Sequence, residues 1–234
     1  MSGLVLTYSW VLFALIMTTT LILIIYKSTS EDKPYNSEKP DNTDDTLLYR
    51  GYPLENKNYE IEVVEDKKFI PINICILTVS DSRKKDDDIS GNLLFTKAKE
   101  AGHNIINYEI SKDDKESIRN KITEWSENKE IDAIITTGGT GLTGRDVTPD
   151  AIEDLFEKKI DGFSTIFHLI SFQKIKTSTI QSRATAGIID NTYIFCLPGS
   201  PGAVKDAWDE ILINQLDIRH KPCNLIEIID RLEE

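Results

Sequence analysis

Buried-strand and amphipathic-helix patterns alternate along residues 69–234. Near-continuous apolar runs at Ile70–Val79 and Ile131–Thr137 are typical of strands buried on both faces of a parallel sheet. The pattern predicts three further strands, at Ile105–Ile110, Ala186–Ile189 and Thr192–Leu197, the last two joined by an Asp190-Asn191 turn.

Helical spacing of apolar residues separates these strands. Ile118, Ile122 and Trp125 follow an i, i+4, i+7 pattern, which predicts one amphipathic helix. Helices are predicted from Ser90 to Ala101, over Lys112–Asn128, from Thr148 as N-cap with Pro149 in the first turn, and over Ala203–Asn214. Regular alternation of strand and helix predicts a three-layer, doubly wound α/β fold with a mostly parallel sheet.

The first 68 residues have a different pattern. Leu4–Tyr26 contains no charged residue and is long enough to span a bilayer, which takes about 20 residues. A signal peptide is disfavoured, since no basic segment precedes this run. Residues 1–27 are therefore predicted to be a transmembrane anchor, with an artefact of the chosen gene start as the alternative. Residues 28–68 are acidic and aperiodic and predict a flexible, disordered linker to a domain at 69–234.

Composition narrows the classes of function. The net charge of −12 disfavours a nucleic-acid binder, because an acidic surface repels phosphate backbones. The three cysteines form no C-x-x-C pair, which excludes a disulfide scaffold and a thiolate zinc site. Cys75 and Cys196 lie in predicted strands and are expected to be buried, reduced thiols.

Ligands of doubly wound sheets bind beyond the carboxyl ends of the strands. Three loops are predicted there: Thr78–Ser82, Thr136–Asp146 and Pro198–Gly202. The second loop is rich in glycine and ends in Arg145 and Asp146. Its N–H groups can cradle an anion, Arg145 can clamp a phosphate, and Asp146 can hold Mg²⁺. The pattern favours a nucleotide or phosphate site over a plain turn.

Several segments carry a resemblance to a known family. TTGGTGLTGRDVTPDAI, STIQSRATAGI and LPGSPGAVKDAWDEIL closely resemble the MoaB/MogA family of molybdenum cofactor biosynthesis proteins, and FIPINICILTVSDSRKKDDDISGNLL resembles that family's first strand, loop and helix. The resemblance covers residues 69–234 and is strongest to the MoaB branch.

This resemblance implies molybdopterin adenylyltransferase activity. Active members bind molybdopterin and Mg-ATP, transfer AMP to the terminal phosphate of the pterin and release pyrophosphate. The family's two functional aspartates correspond to Asp146 and Asp113, which would serve as catalytic residues and Mg²⁺ ligands. Asp114 is an alternative to Asp113. Family members imply a homotrimer or hexamer that hands its product to a molybdate insertase, on the cytoplasmic side if the anchor exists.

Other residues are candidates for substrate or nucleotide contacts. Several have a structural alternative: a turn at Ser80 and Asp81, an N-cap at Ser90, a salt bridge at Arg183 and a Gly-Pro turn after the last strand. Asp86, Asp87 and Asp88 are interpreted as a solvated loop, and the three histidines, His103, His168 and His220, as structural or surface residues. The candidate contacts are Ser80, Asp81, Ser90, Gly138, Gly139, Thr140, Gly141, Arg145, Ser182, Arg183, Pro198, Gly199 and Ser200.

Two rival functions are open at this point. One is a molybdopterin-binding protein without catalysis. The other is a membrane-tethered scaffold whose domain serves protein interaction. An ATP-dependent assay separates the enzyme from both.

Overall fold

A computed structural model describes residues 67–234. Its six strands form one sheet in the order β2-β1-β3-β6-β5-β4. The neighbouring pairs β2/β1, β1/β3 and β3/β6 are parallel, whereas β6/β5 and β5/β4 are antiparallel. The predicted α/β class with a mostly parallel sheet is therefore confirmed. The strands are β1 Asn73–Val79, β2 Asn104–Ser111, β3 Ala133–Thr137, β4 Lys158–Lys159, β5 Thr185–Ile189 and β6 Thr192–Leu197.

Helices flank the sheet. The helix at Lys115–Ser126 lies within its predicted range, while a long helix at Asp161–Ile175 and the short strand β4 were not predicted. The α-helices are α1 Ile89–Glu100, α2 Lys115–Ser126, α3 Thr148–Ile152, α4 Asp161–Ile175, α5 Pro201–Ala207 and α6 Ile213–Gln215, with a π-helical turn at Trp208–Leu212 between the last two.

Two hydrophobic clusters cover opposite faces of the sheet. Alternate residues of β1 divide between them, with Ile74 and Ile76 in one cluster and Cys75 and Leu77 in the other. Helices α1, α4 and α5 pack on the first face and α2 and α3 on the second, which makes the predicted three layers. Burial of Cys75 and Cys196 is confirmed, and it raises the pKa of their thiols to about 11 and about 12.

Two predicted N-caps are wrong. The N-cap of α1 is Asp88, whose carboxylate accepts the Gly91 N–H at 3.0 Å, and Ser90 lies inside the helix. Helix α3 begins at Thr148 with Pro149 in its first turn, as predicted, but its N-cap is Val147. The Thr148 hydroxyl donates to the Gly138 carbonyl at 2.9 Å instead of capping the helix. The solvated loop predicted at 86–88 is also wrong in part: Asp86 and Asp87 are exposed, but Asp88 is buried.

The predicted anchor over residues 4–26 lies outside the described residues, as does nearly all of the predicted linker over 28–68. Both stay predictions. Among residues 67–234, no helix combines the length and the apolar character needed to cross a membrane.

Candidate functional site

The loops that follow β1, β2, β3 and β6 meet at one edge of the sheet, because these four strands are parallel neighbours. They border a cavity of about 550 Å³. We name residues 80–88 the β1 loop and residues 138–146 the glycine loop. The predicted site residues that line the cavity are Ser80, Asp113, Gly138, Gly139, Thr140, Gly141, Asp146, Ser182, Pro198, Gly199 and Ser200.

The glycine loop needs glycine at its first two positions. Gly138 has a φ of +107°, and a Cβ there would lie 2.3 Å from the Val79 carbonyl oxygen. Gly139 has a φ of +64°, and its Cβ would meet the Thr148 hydroxyl at 2.3 Å. These left-handed conformations are costly for any residue with a side chain. The backbone of the loop can therefore turn sharply and stay close to the end of β1.

Arg183 braces the glycine loop from outside the cavity. Its Nε donates to the Gly141 carbonyl at 2.9 Å, and another guanidinium N–H donates to the Asp146 carbonyl. Its Nη1 also pairs with Asp150 at 2.8 Å. Arg183 is absent from the residues that line the cavity. Three of its N–H donors are used by the protein, so Arg183 holds the loop in shape and forms the salt bridge given as its structural alternative.

Asp81 and Asp113 join the loops that follow β1 and β2. The Asp81 N–H donates to the Asp113 carboxylate, and the Asp113 N–H donates to the Asp81 carboxylate, both at 3.1 Å. Arg145 pairs with the outer carboxylate oxygen of Asp81 and is 73% exposed. Neither Asp81 nor Arg145 lines the cavity. This pair of hydrogen bonds fixes where the Asp113 carboxylate sits.

The three carboxylates at this edge differ in their electrostatics. Burial, with the negative fields of Asp81 and Asp146 added, raises the pKa of Asp113 above its ordinary value. The hydrogen bond from the Thr143 hydroxyl, at 2.6 Å, lowers the pKa of Asp146, and that from Arg145 lowers the pKa of Asp81. Burial is the largest of these causes, and a cation bound nearby would stabilise the charged form of Asp113.

Asp114 has a different role from its neighbour. Its carboxylate accepts the Ser117 N–H at 2.8 Å and caps the N-terminus of α2. Hydrogen bonding with the Ser117 side chain, and then with its N–H, lowers the pKa of Asp114. Asp114 does not line the cavity, whereas Asp113 does.

The donor set at the cavity suits Mg²⁺. Mg²⁺ is commonly bound by one or two carboxylates together with water and substrate phosphates, and Asp113 and Asp146 offer two carboxylates on separate loops. Over residues 67–234 there is no group of three or more His, Cys, Asp or Glu side chains placed to hold a metal by themselves. Any Mg²⁺ held here would therefore take its remaining oxygens from water or from a bound substrate.

Sequence reasoning missed two contributions to the cavity. Arg83, from the β1 loop, lines it, and its Nη2 donates to the Gly199 carbonyl at 3.1 Å. Helix α4 and the 3₁₀ turn Lys176–Gln181 supply a wall that includes Phe167, Ser171 and Thr179. The signal for Arg83 was its place three residues after Ser80, at the end of a buried strand. The predicted contact Ser90 is outside the cavity, and its hydroxyl donates to the Gly199 carbonyl at 2.8 Å.

A smaller hollow of about 300 Å³ lies along the glycine loop. Asp146 lines both this hollow and the larger cavity, and Lys115, Thr143 and Arg183 line the hollow with it. A third cavity of about 420 Å³, bordered mainly by apolar residues of α4 and the π-helical turn, contains none of the predicted site residues.

Comparison with known families and proteins gives consistent results. The profile of the family described as "Probable molybdopterin binding domain" matches residues 75–218. Molybdenum cofactor biosynthesis protein B of Escherichia coli is 44% identical over 157 residues, which cover 67% of this chain and 92% of that protein. The protein of the same name from Bacillus cereus is 42% identical over 159 residues, or 67% and 94% of the two chains.

Solved structures agree. A crystal structure of molybdenum cofactor biosynthesis protein B has a TM-score of 0.65 at 38% identity, covering 71% of this chain and 99% of that one. The tungsten cofactor synthesizing protein MoaB from Pyrococcus furiosus has a TM-score of 0.58 at 30% identity, covering 70% and 98%.

Proposed function

Since the chain belongs to the family of molybdenum cofactor biosynthesis proteins, we propose that it binds molybdopterin and adenylates it with Mg-ATP, releasing pyrophosphate. The observation that carries this proposal is the position of Asp146. Its side chain lines two hollows, of about 550 and about 300 Å³, and Asp113 lines the larger one as well. A carboxylate that borders two hollows can hold Mg²⁺ where two substrates meet.

Asp113 and Asp146 would hold the Mg²⁺ ion, which when bound supplies positive charge against phosphate oxygens. The Asp113 carboxylate is already positioned by the Asp81 N–H, and that of Asp146 by the Thr143 N–H and hydroxyl. Such preorganised groups need little rearrangement when substrate arrives.

The chemistry needs no strong base from the protein. A terminal phosphate oxygen of the pterin attacks the α-phosphorus of ATP, and the bond from that phosphorus to the bridging oxygen of pyrophosphate breaks. Phosphate oxygens are already ionised at neutral pH, so no proton has to be removed. Consistent with this, none of His103, His168 and His220 lines the larger cavity or the hollow that share Asp146.

The test uses the purified full-length chain with molybdopterin, ATP and Mg²⁺, following pyrophosphate release and the adenylated pterin. Asp113→Asn and Asp146→Asn should each lower turnover by about a hundredfold or more, and EDTA should abolish it.

The matched control is Asp114→Asn, because Asn caps a helix as well as Asp. This variant should keep wild-type turnover. Loss of turnover with Asp114→Asn and not with Asp113→Asn would reverse the assignment of the two residues. Wild-type protein that binds molybdopterin without consuming ATP would support the non-catalytic binding protein instead. The homotrimer or hexamer, the hand-off to a molybdate insertase and the membrane tether follow from resemblance or from the undescribed residues, and stay predictions.

A further inference from the structure

Arg83 has a distinctive place in the larger cavity. Among the cavity-lining residues in the described part of the chain, it is the only arginine or lysine. The charged residues that share the lining with it are Asp113 and Asp146. A polyanionic ligand entering this cavity would therefore meet two carboxylates and one guanidinium group.

The guanidinium of Arg83 makes two contacts with the protein and keeps N–H donors that are not used by them. Its Nη2 donates to the Gly199 carbonyl at 3.1 Å, and its Nη1 lies 3.6 Å from the Asp88 carboxylate. An arginine carries five N–H donors in a fixed fork. The side chain is 34% exposed, so its remaining donors can reach a ligand.

The buried carboxylate of Asp88 holds the Arg83 guanidinium in place. Its side chain is 0% exposed, and its carboxylate accepts the Gly91 N–H at 3.0 Å and the Tyr108 hydroxyl at 2.7 Å. Burial, with the negative charge of Asp88 added, raises the pKa of Tyr108, so this hydroxyl remains a donor. A buried carboxylate is costly without a nearby positive charge. Within residues 67–234, the cation that Asp88 pairs with is Arg83.

The two arginines that the sequence singled out are placed differently. Arg183 donates to two backbone carbonyls and to Asp150, and Arg145 pairs with Asp81 at the exposed surface. Neither lines the larger cavity. Of the three, only Arg83 combines a buried anchor with donors that face this cavity.

We propose that Arg83 binds a phosphate group of the substrate and that Asp88 is the positioning residue that aims it. The ligand chemistry is a phosphate monoester or polyphosphate, carried either by the pterin or by the nucleotide. Because both are substrates of the reaction proposed above, the inference rests on that function. Binding measured without turnover keeps the two separable.

The experiment titrates the full-length protein, in separate arms, with ATP and with molybdopterin, using calorimetry. Arg83→Gln should weaken binding of at least one ligand about ten- to a hundredfold, the usual effect of losing a charged hydrogen bond. The arm that weakens identifies whose phosphate Arg83 contacts. Arg83→Lys should have an intermediate effect, because a lysine keeps the charge but loses the fork.

Arg119→Gln is the matched control, since it removes the same charge from α2, where Arg119 pairs with Asp154 away from the cavity. It should bind both ligands as wild type does. The unfolding midpoint of every variant is measured alongside, so that weak binding is scored only for folded protein. Should Arg83→Gln unfold with Asp88 unpaired, Arg83→Lys and the double variant below carry the test.

The positioning role has its own readout. If Asp88 acts through Arg83, Asp88→Asn should weaken binding in the wild-type background, and Asp88→Asn/Arg83→Gln should bind no more weakly than Arg83→Gln alone. The double variant also removes both charges together, which avoids a lone buried carboxylate. Additive losses would overturn the positioning role.

Two results would overturn the phosphate contact: wild-type affinity of folded Arg83→Gln for both ligands, or failure of the wild-type protein to bind either. Arg83-dependent binding without adenylation would leave this inference standing and remove the proposed enzymatic function.

Discussion

The β1 loop and the glycine loop border the same cavity but use their polar groups in opposite ways. Several carbonyls of the glycine loop are hydrogen-bonded within the protein. Arg183 donates to those of Gly141 and Asp146, and the Thr148 hydroxyl donates to that of Gly138. In the β1 loop, Asp88 is buried beneath Arg83, whose guanidinium faces the cavity. The glycine loop thus contributes Asp146 to the cavity while several of its carbonyls are bonded within the protein, and the β1 loop contributes a guanidinium with donors left for a ligand.

The largest expected effect on stability is at the glycine loop. Gly138→Ala places a methyl group 2.3 Å from the Val79 carbonyl at a φ of +107° and should destabilise the fold by about 3 kcal/mol or more. Urea unfolding measures this. Gly144→Ala is the control, because a Cβ there meets nothing within 4 Å, and it should change stability by less than about 1 kcal/mol. Equal effects at the two positions would contradict the account of the glycine loop.

The next largest effect on stability is expected at Arg183, which braces the glycine loop. Arg183→Met removes donors to two carbonyls and to Asp150, and should cost about 3 kcal/mol of stability. Arg119→Met removes an exposed pair with Asp154 and a single longer bond, at 3.3 Å, to the Ala151 carbonyl, and should cost less than about 1 kcal/mol. Differential scanning calorimetry compares the two. An Arg183 variant as stable as the Arg119 variant would remove the contrast between the loops.

A smaller loss of stability is expected when the hydrogen bond to Asp88, the last residue of the β1 loop, is removed. Tyr108→Phe removes the hydroxyl that donates to the buried Asp88 carboxylate, and should cost about 2 kcal/mol. Tyr193→Phe provides the comparison, since that hydroxyl donates to the neutral Leu225 carbonyl, and should cost about 1 kcal/mol. If chemical unfolding finds Tyr193→Phe the more damaging, Asp88 does not depend on Tyr108 as described.

The smallest effect concerns pH. The hydrogen bond from Arg183 lowers the pKa of Asp150, so the pair adds stability in full above the ordinary aspartate pKa of about 3.9 and loses it as the pH falls further. Because the pair is partly exposed, the contribution should be below about 1 kcal/mol. The stability difference between wild type and Asp150→Asn should therefore shrink from pH 5 to pH 3. If this difference grows as the pH falls, the predicted sign of the pH dependence is wrong.

Much of the fold could be predicted because its strands are buried on both faces. The apolar runs that contain β1 and β3 have few interpretations other than a central parallel strand. Helix α4 was missed for a physical reason. Phe163 and Phe167 face the core at helical spacing, but Ile166 and Leu169 are about half exposed on the other side, so the helix has no clear polar face.

The site was predicted at the level of loops rather than of side chains. The sheet topology brings Asp113, Asp146 and the glycines to one cavity, as their place after parallel strands implies. Which arginine faces the cavity depends on contacts between distant segments, such as that of Arg183 with Gly141. No local pattern encodes such contacts. Asp113 and Asp114 are likewise adjacent in sequence and differ only because one of them caps α2.

The Gly199 carbonyl also has a consequence for the order of synthesis. It accepts hydrogen bonds from Arg83 and Ser90, which lie 116 and 109 residues earlier in the chain. On the ribosome, β1, β2 and β3 emerge well before the segment that carries Gly199, at about 5–20 residues per second. Contacts over such separations form late in folding. A nascent chain therefore has Arg83 without its final geometry until the segment after β6 has been made.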